Sequence, residues 1–229
     1  MNNKKSTFIL VALSFLLVVG FSVQVLAGET YKMACSLAIT GPTSDVGSPY
    51  AKGVEDYTRY VNDEKLLGDD QLITYVRDDG YKTEVTKRNF EEFLDEDIVF
   101  YLNYSTGSTM ALRQDFQEEK IPVLPASFHA GNLEGNDYVF LPIASYSSQA
   151  VGLAEYVAAN HKGSGKPKVA LFLHPSAFGR APRDDVQKSI DAGLGIDLVE
   201  IVEHGKDLDN TAMLQRFQSK GVQLSLIHI

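Results

Sequence analysis

Cysteine is nearly absent from this sequence. Cys35 is the only cysteine among 229 residues, so no disulfide can form within the chain, and a small secreted domain stapled by disulfides is excluded. Cys35 lies in an apolar run, where a free thiol behaves as a small hydrophobic side chain. We therefore expect it to be a buried core residue.

Basic residues are in deficit. The chain has 21 lysines and arginines against 30 aspartates and glutamates, which gives a net charge of −9. Binding to nucleic acid needs a basic face that neutralises phosphates. We therefore expect a small-molecule ligand and no nucleic-acid partner.

Catalytic and metal-binding motifs are also missing. The sequence has no Gly-x-Ser-x-Gly elbow, no His-Glu-x-x-His pair and no paired-cysteine metal site. Its five histidines do not have the spacing of metal ligands; they are His129, His161, His174, His204 and His228. We predict no enzymatic activity, no metal site and no cofactor.

The first 27 residues are typical of a cleaved secretory signal. Lys4 and Lys5 precede an apolar stretch, Phe8–Phe21, and the residues that end at Ala27 are small enough for a signal peptidase. The alternative, a membrane anchor, is disfavoured because no basic stop-transfer cluster follows. We predict cleavage after Ala27, a periplasmic or otherwise extracytoplasmic location, and no stable membrane anchor thereafter.

After Ala27, short β-like runs alternate with helix-like stretches. The predicted strands are Tyr31–Ala38, Leu72–Arg77, Ile98–Leu102, Pro122–Pro125, Lys168–Leu173 and Asp197–Val202. The predicted helices lie near Pro49–Asn62, Thr83–Leu94, Ser108–Glu119, Ser147–His161, Pro182–Ala192 and Asn210–Lys220. This alternation predicts parallel sheets covered on both faces, with ligands beyond the carboxyl ends of the strands.

Helical spacing predicts which side chains of two of these helices face the core. Val54, Tyr57 and Val61 recur at intervals of three and four residues, and Leu153 and Val157 do the same. Such spacing places side chains on one face of a helix. We expect both sets to be buried.

A turn rich in hydroxyl groups, Tyr104–Thr109, joins the third predicted strand to the next helix. It would bring hydroxyls beside the free N–H groups of a helix N-terminus, and such a site can bind an anion such as a ligand carboxylate. The alternative is that Ser105 or Thr106 only caps the helix. The turn alone leaves both interpretations open.

A series of short motifs runs along the chain, each weak alone but specific in its order. They are Ala38–Pro42 with Gly47 and Gly53, Asp78-Asp79, Ser105–Thr109, Ile121–Ser127, Tyr138–Pro142, Val169–Phe172 and Ala177–Arg180. In this order the chain from Glu29 to Gln223 resembles the branched-chain amino-acid-type solute-binding proteins of ABC importers.

The resemblance implies an α/β fold of the type I periplasmic-binding kind. That fold has two lobes with parallel, doubly wound sheets, joined by hinge strands, and it closes on a small solute and delivers it to the membrane subunits of an ABC importer. We assign residues 28–143 to the first lobe, ending in an extended crossing segment, and 144–223 to the second. Family members run well beyond this length, so the second lobe is predicted to be incomplete. We expect the chain to bind ligand weakly or to fold only in its first lobe.

The resemblance also implies a ligand-binding site. In the family the ligand carboxylate is held by the hydroxyl turn after the third strand, which corresponds to Ser105 and Thr106. Groups after the fourth strand complete this clamp, where Ser127, Phe128 and His129 stand in this sequence. We therefore expect a carboxylated solute, either an amino acid or another organic acid.

Three further positions concern the rest of that site. Phe178 matches an aromatic residue of the second lobe that closes over the ligand. Val46 stands where several relatives carry an aromatic residue, and His129 where a small hydroxyl residue is common. A histidine there could hydrogen-bond a carboxylate or a ring hydroxyl of the ligand.

The last six residues, 224–229, resemble the in-frame translation of a transposon end used in library preparation. They are predicted to be a non-native tail, although they are apolar enough to form a real strand.

Two other functions stay open for the whole chain. One is the ligand-binding ectodomain of a receptor or sensor protein. The other is a secreted α/β hydrolase, with Ser105 and His129 as nucleophile and base but with no identifiable acidic partner.

Overall fold

The computed structural model describes residues 28–205 and 209–228, and within them the protein is an α/β structure. The predicted signal segment lies outside the described residues. The strands are β1 (Thr30–Leu37), β2 (Gln71–Asp78), β3 (Phe100–Asn103), β4 (Val123–Pro125), β5 (Lys168–Leu173), β6 (Asp197–Glu203) and β7 (Leu224–His228). The α-helices are α1 (Ser44–Asp63), α2 (Thr83–Leu94), α3 (Thr106–Ala111), α4 (Arg113–Glu119), α5 (Tyr146–Asn160), α6 (Ala177–Arg180), α7 (Arg183–Asp191) and α8 (Thr211–Ser219).

The strands form two parallel sheets. The first has the order β2-β1-β3-β4 and the second the order β6-β5-β7. In each sheet the strand that comes first in the chain, β1 or β5, has a neighbour on both sides. The loops that leave neighbouring strands diverge at such a point, and the resulting crevice is where open α/β sheets bind ligands.

The first sheet is covered on both faces, as a doubly wound fold requires. On one face an aromatic core forms, in which the ring of Phe90 packs against Tyr101 at 5.0 Å and against Phe116 at 5.1 Å between centroids. On the other face Cys35 and Leu102 pack with Ala51 of α1. Cys35 is fully buried, as expected, and burial raises the pKa of its thiol to about 12.

The second sheet also has a core. Leu171 and Leu173 of β5 pack with Ala154 of α5 and Val186 of α7. Leu226 of β7 joins this cluster and is 8% exposed. Both lobes thus bury apolar side chains in the structure. The expectation that only the first lobe folds stays a prediction.

The segment between the two sheets runs beside the first one. Val139 pairs with Val123 of β4 in a parallel bridge, and the N–H of Phe140 donates to the carbonyl of Val123 at 2.9 Å. The chain then enters α5, which is capped by Ser145. The crossing between lobes near residues 137–143 stays a prediction.

Helix boundaries differ from the sequence prediction in two places. Helix α1 begins at Ser44, ahead of Pro49, which lies inside it. The helix predicted over 108–119 is two short helices, because Leu112 has φ −95° and ψ 3°, outside the helical range. Leu112 is buried in the aromatic core, so the residue at which the helix is interrupted packs against the sheet side of the lobe.

The predicted apolar faces are only partly correct. Val61 is buried, but Tyr57 is 61% exposed and packs against the neighbouring ring of Tyr60 on the surface. Leu153 is 50% exposed, whereas Ala154 next to it is fully buried. Helix α5 is apolar around much of its circumference, so spacing alone could not identify the side that meets the sheet.

Residues Leu224–His228 form β7, which pairs with β5 in parallel over five residues. These residues therefore have the conformation of a strand, as the alternative interpretation expected. Their non-native origin stays a prediction, because an apolar segment of any origin can pair with an open sheet edge.

Among the described residues, no helix is both long enough and apolar enough to cross a membrane. Within the same residues, no group of three or more histidine, cysteine, aspartate or glutamate side chains has a geometry that could hold a metal ion.

Candidate ligand-binding cleft

A cavity of about 530 Å³ lies at the carboxyl ends of strands from both lobes. Its size is within the range of about 300–1,000 Å³ that is typical of small-molecule sites. The first lobe lines it with residues that follow β1, β2, β3 and β4: Pro42, Thr43, Asp45, Val46, Tyr50, Tyr81, Tyr104, Ser105, Thr106 and Ala126. The second lobe contributes Tyr146, His174, Phe178 and Gly205.

Ser105 caps helix α3 and also lines the cavity. Its Oγ accepts a hydrogen bond from the N–H of Ser108 at 3.1 Å and lies 2.7 Å from the Oγ of Ser108. Its carbonyl accepts from the hydroxyl of Thr109 at 2.8 Å. The capping interpretation is thus correct, and it leaves Ser105 on the cavity wall.

Thr106 connects the cavity to a buried polar network. Its Oγ1 lies 2.7 Å from the Oγ of Ser127. The side-chain amide of Asn132 donates to the Oγ of Ser127 at 3.3 Å and to its carbonyl at 2.9 Å. Ser127 therefore stands behind Thr106, supporting it from the loop after β4.

The structure brings four of the seven predicted site residues to the cavity wall, namely Ser105, Thr106, Phe178 and Val46. The ring of Phe178 contacts Tyr146 edge-on at 5.1 Å. Val46 is 57% exposed on the cavity wall. Phe128 is not among the lining residues; it packs against Tyr146 from behind, at 5.6 Å between ring centroids.

His129 does not line the cavity either. Its Nδ1 accepts a hydrogen bond from the N–H of Gly131 at 2.9 Å, so the ring caps the short 3₁₀ turn Ala130–Leu133. Burial lowers the pKa of the imidazole, which favours the neutral ring that this acceptor role needs. In this structure His129 is engaged with its own loop, not with the cavity.

Four tyrosines that the sequence analysis did not name as ligand-binding residues also line the cavity. They come from four separate segments and are Tyr50, Tyr81, Tyr104 and Tyr146. Tyr104 is in contact with two of the others, with ring centroids 6.2 Å from Tyr50 and 6.1 Å from Tyr81. Burial raises the pKa of all four phenols, so they are neutral hydrogen-bonding groups at physiological pH.

The sequence analysis came near to one of them, since Tyr104 is the first residue of the hydroxyl turn Tyr104–Thr109. Tyr81 follows the Asp78-Asp79 pair with φ of 64°, a left-handed conformation that is uncommon outside glycine. The side chain of Asp79 stabilises this turn, because its Oδ1 accepts from the N–H of Tyr81 at 2.8 Å. Asp79 is itself buried, and burial raises the pKa of its carboxyl group.

Asp78 ties the loop after β1 to the loop after β2. Its carboxylate accepts from the N–H and the hydroxyl of Thr40 and from the N–H of Gly80 at 2.9 Å. The two loops approach so closely that a Cβ on Gly41 would lie 2.6 Å from the carbonyl oxygen of Gly80. This contact holds the loop that carries Pro42 and Thr43 against the first lobe.

The charge on Asp78 should therefore support the fold only when the carboxyl group is ionised. Burial opposes ionisation, but the hydrogen bonds from Thr40 and Gly80 outweigh it and lower the pKa of Asp78 in the folded protein. A lowered folded pKa gives stability that is present above the unfolded pKa, about 3.9, and lost as the pH falls through the folded value. We expect Asp78→Asn to lower the free energy of unfolding at pH 7, and the difference from wild type to shrink as the pH falls below about 4.

Urea unfolding, followed by circular dichroism at pH 7 and at a pH below about 4, checks this expectation. Asp69→Asn is the matched control, because the side chain of Asp69 is 85% exposed and its ion pair with Lys65 is long, at 3.7 Å. A difference between Asp78→Asn and wild type that stays constant with pH would contradict the assignment.

Comparison with known proteins identifies relatives of the whole described chain. A family model described as periplasmic binding protein matches residues 30–228. A leucine-, isoleucine-, valine-, threonine- and alanine-binding protein of Pseudomonas aeruginosa is 21% identical over 210 residues, covering 90% of this chain and 55% of the relative.

Solved structures of binding proteins are also similar to this chain. A branched-chain amino acid ABC transporter protein from Thermus thermophilus with bound valine is 43% identical, has a TM-score of 0.83, and matches 89% of this chain and 53% of its own. A solute-binding protein from Rhodopseudomonas palustris in complex with 3,4-dihydroxybenzoic acid is 18% identical, with a TM-score of 0.71, over 87% of this chain and 54% of its own. The chain thus spans about half the length of these relatives.

Proposed function

This chain belongs to the periplasmic binding protein family, and from that premise we propose that it captures a small carboxylated solute in the cleft for an ABC importer. The family is one of extracytoplasmic solute-binding proteins with the type I fold, and the relatives compared above are binding proteins. The proposal adds the class of solute, the residues that hold it, and delivery to membrane subunits.

The hydroxyl turn at the cavity wall is the observation that carries the proposal. The N–H groups in the first turn of a helix have no partner within the helix, and in α3 they belong to Thr106 and Gly107. The hydroxyls of Ser105 and Thr106 stand beside them. A carboxylate that leaves water needs several charge-assisted hydrogen bonds, and this turn can offer both backbone and side-chain donors.

The hydrogen-bond network can leave these hydroxyl protons available to a ligand, because either oxygen of each hydroxyl pair can be the donor. A hydroxyl group has one donor and two acceptor positions. When Asn132 donates to Ser127, and Ser127 donates to Thr106, the proton of Thr106 can point into the cavity. Ser105 similarly can accept from the N–H and the hydroxyl of Ser108 and donate to the ligand.

Aromatic rings from the second lobe form part of the cavity wall. Phe178 and Tyr146 are in edge-on contact and line the same cavity as the clamp residues. Aromatic rings in this position remove apolar ligand surface from water. Val46 lines the cavity and is smaller than an aromatic residue, so it leaves more room for the ligand at that point of the wall. The proposal includes no catalytic step.

A ligand screen tests the proposal directly. We expect L-valine, L-leucine or another small carboxylate to shift the amide resonances of Ser105, Thr106 and Gly107 in the NMR spectrum at millimolar concentration, and the corresponding carboxamides to shift them far less. Charge-assisted hydrogen bonds are about twice as strong as neutral ones, which is the reason for the difference. Shifts with amides or polyamines but with no carboxylate would overturn the carboxylate clamp.

A further inference from the structure

Asn103, the last residue of β3, stands behind the hydroxyl turn and is 1% exposed. It is not among the residues that line the cavity in the described part of the chain. Its side-chain amide donates both of its N–H bonds into the turn, to the Oγ of Ser108 at 3.1 Å and to the Oγ1 of Thr109 at 2.8 Å. Asn103 thus makes the hydroxyls of Ser108 and Thr109 acceptors, and each of them has its own proton left to donate.

The proton of the Thr109 hydroxyl goes to the carbonyl of Ser105, at 2.8 Å. The same carbonyl accepts from the N–H of Thr109 at 3.0 Å. A carbonyl oxygen has two lone pairs. Thr109 therefore occupies both acceptor positions of the Ser105 carbonyl.

The proton of the Ser108 hydroxyl has three oxygens within reach. They are the Oγ of Ser105 at 2.7 Å, the carbonyl of Ser105 at 3.2 Å and the Oδ1 of Asn103 at 3.4 Å. The first is at the ideal distance for a hydroxyl donor, and the third is well beyond it. The second is already occupied by Thr109. Ser108 therefore donates to the Oγ of Ser105.

The Oγ of Ser105 thereby accepts two hydrogen bonds, from the N–H and from the hydroxyl of Ser108. Both of its acceptor positions are filled, so its own proton is directed at the cavity, whose wall Ser105 forms. We infer that Asn103 is a positioning residue, which acts through Ser108 to fix Ser105 as a hydrogen-bond donor toward the ligand. We call these three residues the donor relay.

The donor relay selects the chemistry of the ligand group that Ser105 meets. A carboxylate oxygen only accepts hydrogen bonds, whereas an ammonium group only donates them. With the proton of Ser105 held toward the cavity, a carboxylate gains a charge-assisted hydrogen bond, and a group that only donates meets a proton instead of a lone pair. This inference rests on the proposed function, because the fixed direction favours only a ligand with acceptor oxygens at Ser105.

Hydroxyl exchange in the wild-type 229-residue chain tests this direction without a substitution. In NMR spectra of protein labelled with carbon-13 at serine, we expect the hydroxyl proton of Ser108 to exchange slowly with water, because it is buried and bonded. The hydroxyl proton of Ser105 should exchange too fast to be seen in the free protein and should appear when L-valine is added. A slowly exchanging Ser105 proton in the free protein would mean that Ser105 donates to Ser108, which would overturn the inference.

Asn103→Asp should reverse the donor relay while it keeps the size of the side chain. An ionised carboxylate has no proton to donate, so Ser108 would donate to it and Ser105 would donate to Ser108. We expect this variant to bind L-valine at least about tenfold more weakly than wild type at about pH 8, measured by NMR titration. The matched control is Asn89→Asp. Asn89 is also buried, at 4% exposure, but its amide donates to the carbonyl of Asp78, outside the donor relay. This control should bind L-valine within about twofold of wild type.

Two ligands with the same ammonium group separate the direction of the Ser105 proton from the charge that Asn103→Asp adds. L-valinamide can donate to Ser105 through its amide N–H, and L-valine methyl ester cannot. In Asn103→Asp we expect the amide to gain at least about fivefold in affinity over the ester, relative to wild type. Charge repulsion or lost stability would change the affinity for both ligands equally, and an unchanged ratio would therefore contradict the donor relay.

The remaining outcomes separate the donor relay from the carboxylate clamp. Unchanged affinity of Asn103→Asp for L-valine, or an equal loss in Asn89→Asp, would overturn the donor relay and leave the clamp intact. Failure of wild type to bind any carboxylate would instead refute the proposed function. Hydroxyl exchange in the free protein decides the direction of Ser105 in that case too, and also if Asn103→Asp does not fold.

Discussion

Removing the hydroxyls of Ser105 and Thr106 together should weaken the binding of a carboxylated ligand by about 100-fold or more. Each hydrogen bond to a charged group contributes about 1.5 kcal/mol or more, and about 2.7 kcal/mol corresponds to a factor of 100. The double variant Ser105→Ala, Thr106→Val retains nearly the same side-chain volume. Titration calorimetry or NMR titration with L-valine measures the loss.

The chain provides a matched control for the capping role of Ser105. Ser145 caps α5 with the same geometry: its Oγ accepts from the N–H of Ser148 at 3.2 Å and lies 3.0 Å from the Oγ of Ser148. Ser145 does not line the cavity. Loss of either cap should cost about 1 kcal/mol of stability, but only Ser105→Ala should change the affinity for the ligand.

Two results would argue against the clamp. One is equal loss of ligand affinity in Ser105→Ala and Ser145→Ala, which would trace the effect to stability alone. The other is an unchanged affinity of the double variant for L-valine. Either would leave the hydroxyl turn as a helix cap without a role in binding.

Gly47→Ala should destabilise the first lobe by about 3 kcal/mol. Gly47 lies in the first turns of α1, and a Cβ at this position would stand 2.1 Å from the carbonyl oxygen of Ala38, a backbone atom that cannot turn away. Helix α1 would have to move off the end of β1. The movement would carry Asp45 and Tyr50 away from the cavity, so ligand affinity should fall as well.

Gly53→Ala is the control for this change, because it lies in the same helix with no atom within 4 Å of its Cβ position. Alanine is favoured over glycine in a helix interior, so this variant should be more stable than wild type by about 0.5–1 kcal/mol. Urea unfolding followed by circular dichroism measures both. Equal stability of the two variants would mean that α1 does not pack on Ala38 as described.

Much of the fold is predictable from the sequence because its signals are local. The strand Lys168–Leu173 and the helix Thr83–Leu94 have the predicted bounds, since a run of apolar residues and a helical repeat are properties of neighbouring residues. The break at Leu112 and the exposure of Tyr57 were not predictable. Both depend on which neighbour each helix meets, and helical spacing does not contain that information.

The site divides in the same way. The hydroxyl turn was recognisable because a strand, a cap and a helix follow one another within a few residues, and the family resemblance pointed to Phe178 and Val46 as well. His129 follows the fourth strand as expected, but its ring bonds to Gly131 and not to the cavity. The direction of a side chain in a loop depends on the hydrogen bonds nearby, so the position of the residue alone did not determine its role.

The sequence by itself determined that this chain is an acidic α/β protein of the periplasmic binding family, with a hydroxyl turn at the end of its third strand. Those features depend on composition, on local periodicity and on the order of short motifs. Only the tertiary structure decided that Asp45, Tyr50, Tyr81, Tyr104 and Tyr146 share one cavity. They come from four separate segments, because Asp45 and Tyr50 share α1. The order of the strands, β2-β1-β3-β4, and the packing of the second lobe bring those segments together.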